Sequence, residues 1–319
     1  MVIQKPGDSY KDRTLILKVI GGVLLLIGAV AAYFGPIEMY CFYLFSEGGR
    51  FHYEGFGFGS FMFGNLACQI MGYYLIAIVL IPLGYGHLKA RRWSRILTLA
   101  LLWFWIIVGI PLTLAFAFIW FTAKDLPPAT GIAAFVLLCL SYFVIPPVGI
   151  RFYNSRDVLR TFEQREPAPC SIEHLPLSIL VMVILFAFYA VALHALIFFN
   201  GLFPMLGAWV NGLQGITTID IALLCLTVLT WGTLTRQKWA WWGTLVYFSW
   251  LTLSWTLTLM RSSWLDMLAA LEFPPYEMEI LERLPFRGSH FAVLVGIPFV
   301  LTLGLILQSW SHFQGREKH

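Results

Sequence analysis

Few residues in this chain have the type and setting to do chemistry, and they are scattered. His194 lies inside an apolar run, near one end of it. An imidazole there is suited to act as an axial ligand or to hydrogen-bond an apolar cofactor such as a quinone. A haem held by two histidines needs a partner at similar depth, but His52, His87, His174, His290 and His312 fall at or beyond the ends of apolar runs. The simpler expectation for His194 is a neutral imidazole bonded to a neighbouring helix. Glu38 follows Gly35-Pro36 and opens the aromatic run Met39-Tyr40-Cys41-Phe42-Tyr43. With His52 and Glu54 it would make a cation site; alone it is a solvated carboxylate at a membrane interface. Asp220 follows Thr217-Thr218 at the head of another apolar run, where free amides and the helix dipole favour a carboxylate, so a capping role explains it.

Four tryptophans, Trp103, Trp105, Trp250 and Trp255, fall in the middle of apolar runs. They suggest a pocket for a pigment, quinone or lipid tail, although aromatic residues at helical spacing more commonly pack a core. The most unusual local sequence is Gly55-Phe56-Gly57-Phe58-Gly59-Ser60-Phe61-Met62-Phe63-Gly64. As a re-entrant loop it would line a pore with bare carbonyls. No threonine-rich filter accompanies it, so the preferred reading is an apolar lead-in to the next helix, docked on a neighbour through its phenylalanines. It is not a phosphate loop, because no strand precedes it and no lysine follows.

The remaining signatures of chemistry are missing. The five cysteines form no CxxC pair and no Cys/His cluster, so neither a metal site nor a disulfide framework is expected. No Ser/His/Asp set, HExxH or paired carboxylates converge. The sequence therefore assigns no catalytic residue, no metal and no cofactor, and an enzyme is not the expected reading.

The elements that must position these residues follow from composition. Of 319 residues, 59% are hydrophobic and only 12% charged, too few charges to cover a water-soluble surface. The same composition excludes a disordered chain and a nucleic-acid binder. The apolar residues come in runs long enough to cross a bilayer core. Eight are expected as helices: 15–34, 64–84, 96–121, 132–150, 175–199, 218–234, 241–260 and 291–310. The segment ending in Ala29-Val30-Ala31 imitates a signal peptide, but its run is longer than a signal core and it is counted as the first span. Away from their ends the spans carry essentially no ionised side chain. A charge at mid-bilayer costs about 2.5–3.5 kcal/mol, so ion-coupled transport is disfavoured.

Charge sets the orientation. Sixteen of the 21 lysines and arginines fall on one side: Lys5, Lys11, Arg13, Lys18, Lys89, Arg91, Arg92, Arg95, Arg151, Arg156, Arg160, Arg165, Arg236, Lys238, Arg316 and Lys318. Arg50, Lys124, Arg261, Arg283 and Arg287 fall on the other, which is also the more acidic side, Glu47 and Asp125 included. The positive-inside rule then places both termini in the cytoplasm of a bacterial-type inner membrane. Trp93, Trp120, Trp209, Trp239, Trp241, Trp242, Trp264 and Trp310 lie near span ends, as an aromatic belt would. Short helices are expected at 262–272 and 276–284 on the outer side and at 154–165 on the inner side.

The chain also looks like two parallel four-helix halves, residues 1–165 and 166–319. Leu88-Lys89-Ala90-Arg91-Arg92-Trp93 matches Leu234-Thr235-Arg236-Gln237-Lys238-Trp239, and each leads into a tryptophan-rich run. Pro111 and Pro298 should kink their helices, and Gly28 and Ala32 allow close helix contact. The expectation is an all-α polytopic membrane protein of eight spans. Its expected role is that of a non-catalytic structural or accessory subunit, with lipids and other membrane subunits or copies of itself as partners. A facilitator for a neutral or apolar solute and a quinone- or lipid-binding protein are the alternatives.

Overall fold

In a computed structural model the described residues are 10–46, 48–122, 127–284 and 286–314. Of the charges counted above, Lys5, Glu47, Lys124, Asp125, Arg316 and Lys318 lie outside them. The described residues are almost entirely helical: α1 (Thr14–Phe45), α2 (Phe61–Leu88), α3 (Arg92–Thr122), α4 (Pro128–Cys139), α5 (Ile145–Tyr153), α6 (Arg156–Arg165), α7 (Leu177–Ile197), α8 (Gly212–Leu234), α9 (Lys238–Arg261), α10 (Trp264–Leu271), α11 (Pro275–Glu282), α12 (Gly288–Gln308) and α13 (Ser311–Gln314). A single π turn, Leu140–Val144, joins α4 to α5. Pro146 and Pro147 follow it and have no N–H to give to a normal helical ladder, so the turn widens there.

Among the described residues, seven segments are long and apolar enough to cross a membrane: α1, α2, α3, α4–α5, α7, α8 and α12. The eighth expected span, α9, is long enough at 24 residues, but its serines, threonines and tryptophans make it less apolar than the seven. The expected short helices are present as α6, α10 and α11. Ser155 and Ser263 cap α6 and α10, accepting the amides of Val158 and Asp266. We call the side holding both ends of the described chain the near face and the opposite side the far face.

Helices α1 and α2 pair along their length because small residues let the backbones meet. A Cβ placed on Gly21 would lie 2.8 Å from the Gly84 carbonyl oxygen, on Gly28 2.8 Å from Ile81, and on Gly35 2.8 Å from Tyr74. These three glycines are seven residues apart and share one face, whereas the expected Gly28–Ala32 pair supplies only one of the contacts. The faces turned away are bare, with Leu15, Leu26 and Tyr33 at 76%, 64% and 70% exposure.

The turns α2–α3 and α8–α9 are built alike. In one, Ala90 takes φ +47°, Arg91 N–H bonds to the Gly86 carbonyl and Ala90 N–H to that of His87. In the other, Arg236 takes φ +54°, Gln237 N–H bonds to the Gly232 carbonyl and Arg236 N–H to that of Thr233. Both are Schellman closures in which a non-glycine holds the left-handed position. In each, a tryptophan of the next helix, Trp93 or Trp239, covers the glycine, so that a Cβ on Gly86 or Gly232 would lie 2.8 Å from its Cζ2.

The main core lies among α3, α7, α8, α9 and α12. Phe186 stacks on Phe248 at 5.0 Å, and Tyr189 packs 5.3 Å from both Phe248 and Phe299. Trp241, expected in the aromatic belt, is buried instead, and its indole N–H bonds to the Ile306 carbonyl at 2.7 Å, tying α9 to α12.

Candidate functional site

Where α3, α7, α9 and α12 converge they leave a cavity of about 270 Å³. Two of these helices carry a proline on its wall, Pro111 in α3 and Pro298 in α12. A proline cannot donate to the carbonyl four residues back, here that of Ile107 or Leu294, and its ring pushes the preceding turn aside. Both of those residues also line the cavity. On α7 the lining runs from Leu185 to Leu196, about 16 Å at 1.5 Å per residue, so the space is long and narrow. Apolar side chains make up nearly all of it. The Tyr189 hydroxyl is already engaged, donating to Thr302 Oγ1 at 2.7 Å, while Thr302 donates to the Pro298 carbonyl at 2.8 Å. The Trp255 indole N–H is buried without an acceptor.

A β-hairpin adjoins this space from the far face. β1 (Phe203–Met205) pairs antiparallel with β2 (Ala208–Val210) through the two-residue turn Leu206-Gly207, both at positive φ. Phe203 is fully buried, its ring near-parallel to Trp250 at 6.2 Å and edge-on to Trp255 at 6.4 Å. The turn reaches the level of Ser254, seven residues or about 10 Å from the end of α9. Backbone amides packed against a helix need partners there. A ladder of hydroxyls four residues apart on α9 supplies them. Leu206 N–H bonds to Ser254 Oγ at 2.9 Å and Gly207 N–H to Thr258 Oγ1 at 2.8 Å, and the Trp209 indole N–H reaches Ser262 Oγ at 2.9 Å. Ser254 in turn donates to the Pro204 carbonyl at 2.7 Å.

The residues expected to form a site are not brought together. Of the four tryptophans, Trp255 lines the cavity. Trp250 faces a separate apolar groove between α8 and α9. Trp103 and Trp105 are 43% and 42% exposed on the outside of α3, Trp105 edge-on to Tyr142. His194 is exposed, its Nδ1 bonded to the Ala190 carbonyl at 2.9 Å within its own helix. Glu38 is half-buried within α1, which continues to Phe45 rather than ending near Phe34. Asp220 is exposed in the third turn of α8: the helix begins at Gly212, so Asp220 does not cap it. The Gly-Phe segment packs as the preferred reading had it, with Phe56 and Phe63 edge-on to Phe42 of α1 and Gly64 against Phe199. The chain that enters between helices is the hairpin.

Two ionisable groups are buried that the sequence places at span ends or on the acidic side, Glu277 and His87. Glu277 of α11, 3% exposed, accepts the amides of Phe61 at 2.8 Å and Met62 at 3.1 Å and the Tyr53 hydroxyl at 3.2 Å. It closes the start of α2 together with Ser60, which accepts the Phe63 amide. Burial pushes the Tyr53 and Tyr276 hydroxyls above the usual phenol range, and their rings meet edge-on at 5.0 Å. His87, wholly buried near the end of α2, places Nδ1 2.8 Å from the Leu83 carbonyl and Nε2 2.7 Å from the Tyr153 hydroxyl. A carbonyl only accepts, so in the neutral ring Nδ1 carries the proton and Tyr153 donates to Nε2.

The near face is fastened by ion pairs: Arg13–Asp157 at 3.0 Å, Arg91–Glu166 at 2.8 Å and Arg92–Glu173 at 2.6 Å. They bind the start of α1 and the α2–α3 turn to the α6 region. Among the described residues, no group of three or more His, Cys, Asp or Glu is placed to hold a metal ion. No protein-family model, no curated protein and no solved structure matches the chain.

Proposed function

We propose that this chain is a non-catalytic integral membrane protein, a structural or accessory subunit of a larger or homo-oligomeric assembly that works through helix and lipid contacts. The observation that carries this reading is the use made of the buried ionisable groups. Glu277 closes α2, His87 ties α2 to Tyr153, and neither lines the central cavity. The bare apolar faces of α1 and α2 add to it, since they require lipid or partner helices against them.

On this reading α9 is the eighth span, held in the bundle by Trp241 and its hydroxyl ladder in spite of its lower hydropathy. The two matched turns support an internal repeat of four-helix halves, 1–165 and 166–319: Gly86 and Gly232, like Trp93 and Trp239, are each separated by the same 146 residues. The basic near face supports cytoplasmic termini in a bacterial-type inner membrane. Purification in mild detergent tests the assembly: a particle larger than one chain, or a stoichiometric partner, is expected, and a strictly monomeric particle with nothing bound overturns it. A facilitator for an apolar solute is the second reading, favoured by a cavity where α3 of one half meets α7, α9 and α12 of the other. Solute flux in proteoliposomes distinguishes it.

A further inference from the structure

We propose that the face of α9 carrying Val246, Trp250 and Leu253 docks the first half of a second copy of this chain, which presents α1 and α4–α5 to it. The inference rests on the assembly reading and on the repeat, and it names the partner. The shift of 146 residues that relates Gly86 to Gly232 carries Ala100, Phe104 and Ile107 of α3 onto Val246, Trp250 and Leu253 of α9. The two helices also match on the opposite face, where each meets the fourth span of its own half. Leu102 packs on Gly149 of α5, and its counterpart Phe248 packs 6.3 Å from Phe299 of α12. They differ in what covers the first face. On α3 the second half closes it, through α7 and α12. Phe104 meets Phe188 edge-on at 5.4 Å, and Ala100 and Ile107 are 0% and 9% exposed. On α9, Val246 and Leu253 are 66% and 53% exposed, and Trp250 opens on a groove of about 720 Å³ beside α8.

By the same relation, the element that closes this face is another first half. The chain's own first half is already engaged through α3, so the next one in the series belongs to another copy. Its counterparts of α7 and α12 have bare faces: α1 shows Val19, Gly22 and Leu26, and α4–α5 shows Leu137 and Val148. Helices α3 and α7 both start at the near face, and so do α9 and α1, so the docked helices run parallel within one membrane. Such a contact joins unlike surfaces of two copies. Halves related by an axis along the membrane normal add copies sideways, and the expected particle is a ring.

The full-length protein, with a benzophenone side chain in place of Val246, is irradiated in membranes, and its covalent dimers are mapped by mass spectrometry. Cross-links to α1 or α4–α5 of another copy are expected. Val246→Trp and Gly22→Trp should each raise the concentration at which the particle dissociates by about tenfold or more. A Cβ on Gly22 meets nothing within 4 Å in its own chain, so that variant keeps the test valid if the other fails to fold. A strictly monomeric wild type overturns the assembly reading and this inference together. A larger particle whose Val246 cross-links run to α8 or α9 of another copy, to a different protein, or nowhere beyond the same chain overturns the inference alone. Unchanged assembly of both variants does the same.

Discussion

Glu277 accepts the backbone amide of Phe61 at 2.8 Å across 216 residues of sequence, so that the last short helix before α12 closes the first turn of α2. Replacing it by alanine leaves two amides and the Tyr53 hydroxyl without their acceptor. Glu277→Ala is expected to cost about 2–3 kcal/mol, and Glu277→Gln, which keeps one acceptor oxygen, about 1 kcal/mol. Thermal unfolding in detergent, with hydrogen exchange at Phe61 and Met62, checks both; an alanine variant as stable as the wild type refutes the cap.

Tyr153→Phe removes the hydroxyl that faces His87 Nε2 and leaves a buried acceptor unmatched, at an expected cost of about 1–2 kcal/mol. In a His87→Leu background the same change should cost much less, because the acceptor has gone with the ring. Additive losses in the double variant would show that the two side chains stabilise the near face independently.

The hairpin depends on the hydroxyls of α9. Ser254→Ala and Thr258→Val each orphan one backbone amide of the turn and should destabilise by about 1–2 kcal/mol. A reporter cysteine at the turn, Leu206→Cys, should react with a water-soluble maleimide several times faster when both hydroxyls are removed. An unchanged labelling rate would mean that packing around Phe203 alone holds the hairpin in place.

The near-face clamp should loosen in acid. The Lys11 amide, and after it the Arg13 guanidinium, holds the Asp157 carboxyl below its ordinary value of 3.8. A lowered carboxylate stabilises the folded state above that ordinary value, and the contribution disappears as pH falls through the lowered one. Protection of the amides at the start of α1 should therefore be constant from pH 7 to about pH 5 and fall below pH 4. Asp157→Asn should show the reduced protection already at pH 7. Flat protection down to pH 3 contradicts the clamp.

The helices were legible because a membrane span is a local property: a run of apolar residues of fixed length needs no partner to be recognised. Even α9 was read correctly as a long helix, although its hydroxyls lower its hydropathy, because tryptophan and threonine break no helix. What escaped was non-local. Phe203–Met205 and Ala208–Val210 are too short to read as strands, and their turn, Leu206-Gly207, lacks the usual Asn-Gly or Asp-Gly. The available signal lay elsewhere, in Ser254, Thr258 and Ser262, four residues apart along α9 and its C-cap, each a bonding group in search of a partner. His87 reads as a span end because basic residues follow it, and it is buried by distant residues, Tyr153 of α5 and Phe162 of α6 among them. Asp220 was read at the head of its helix because the preceding Gly212-Leu213-Gln214-Gly215 resembles a loop. Glu277 looked like one acid among several on an acidic side. Of the four tryptophans only Trp255 lines the cavity, because which face of a helix turns inward is set by its neighbours and not by its own composition.

The hairpin also constrains the order of biogenesis. During synthesis the segment between α7 and α8 emerges before α9 exists, and until then its turn amides have no hydroxyls to meet. It can settle only once α9 has been made and packs against it. A segment that is among the earlier ones in the second half to be made is therefore among the later ones to find its hydrogen-bond partners.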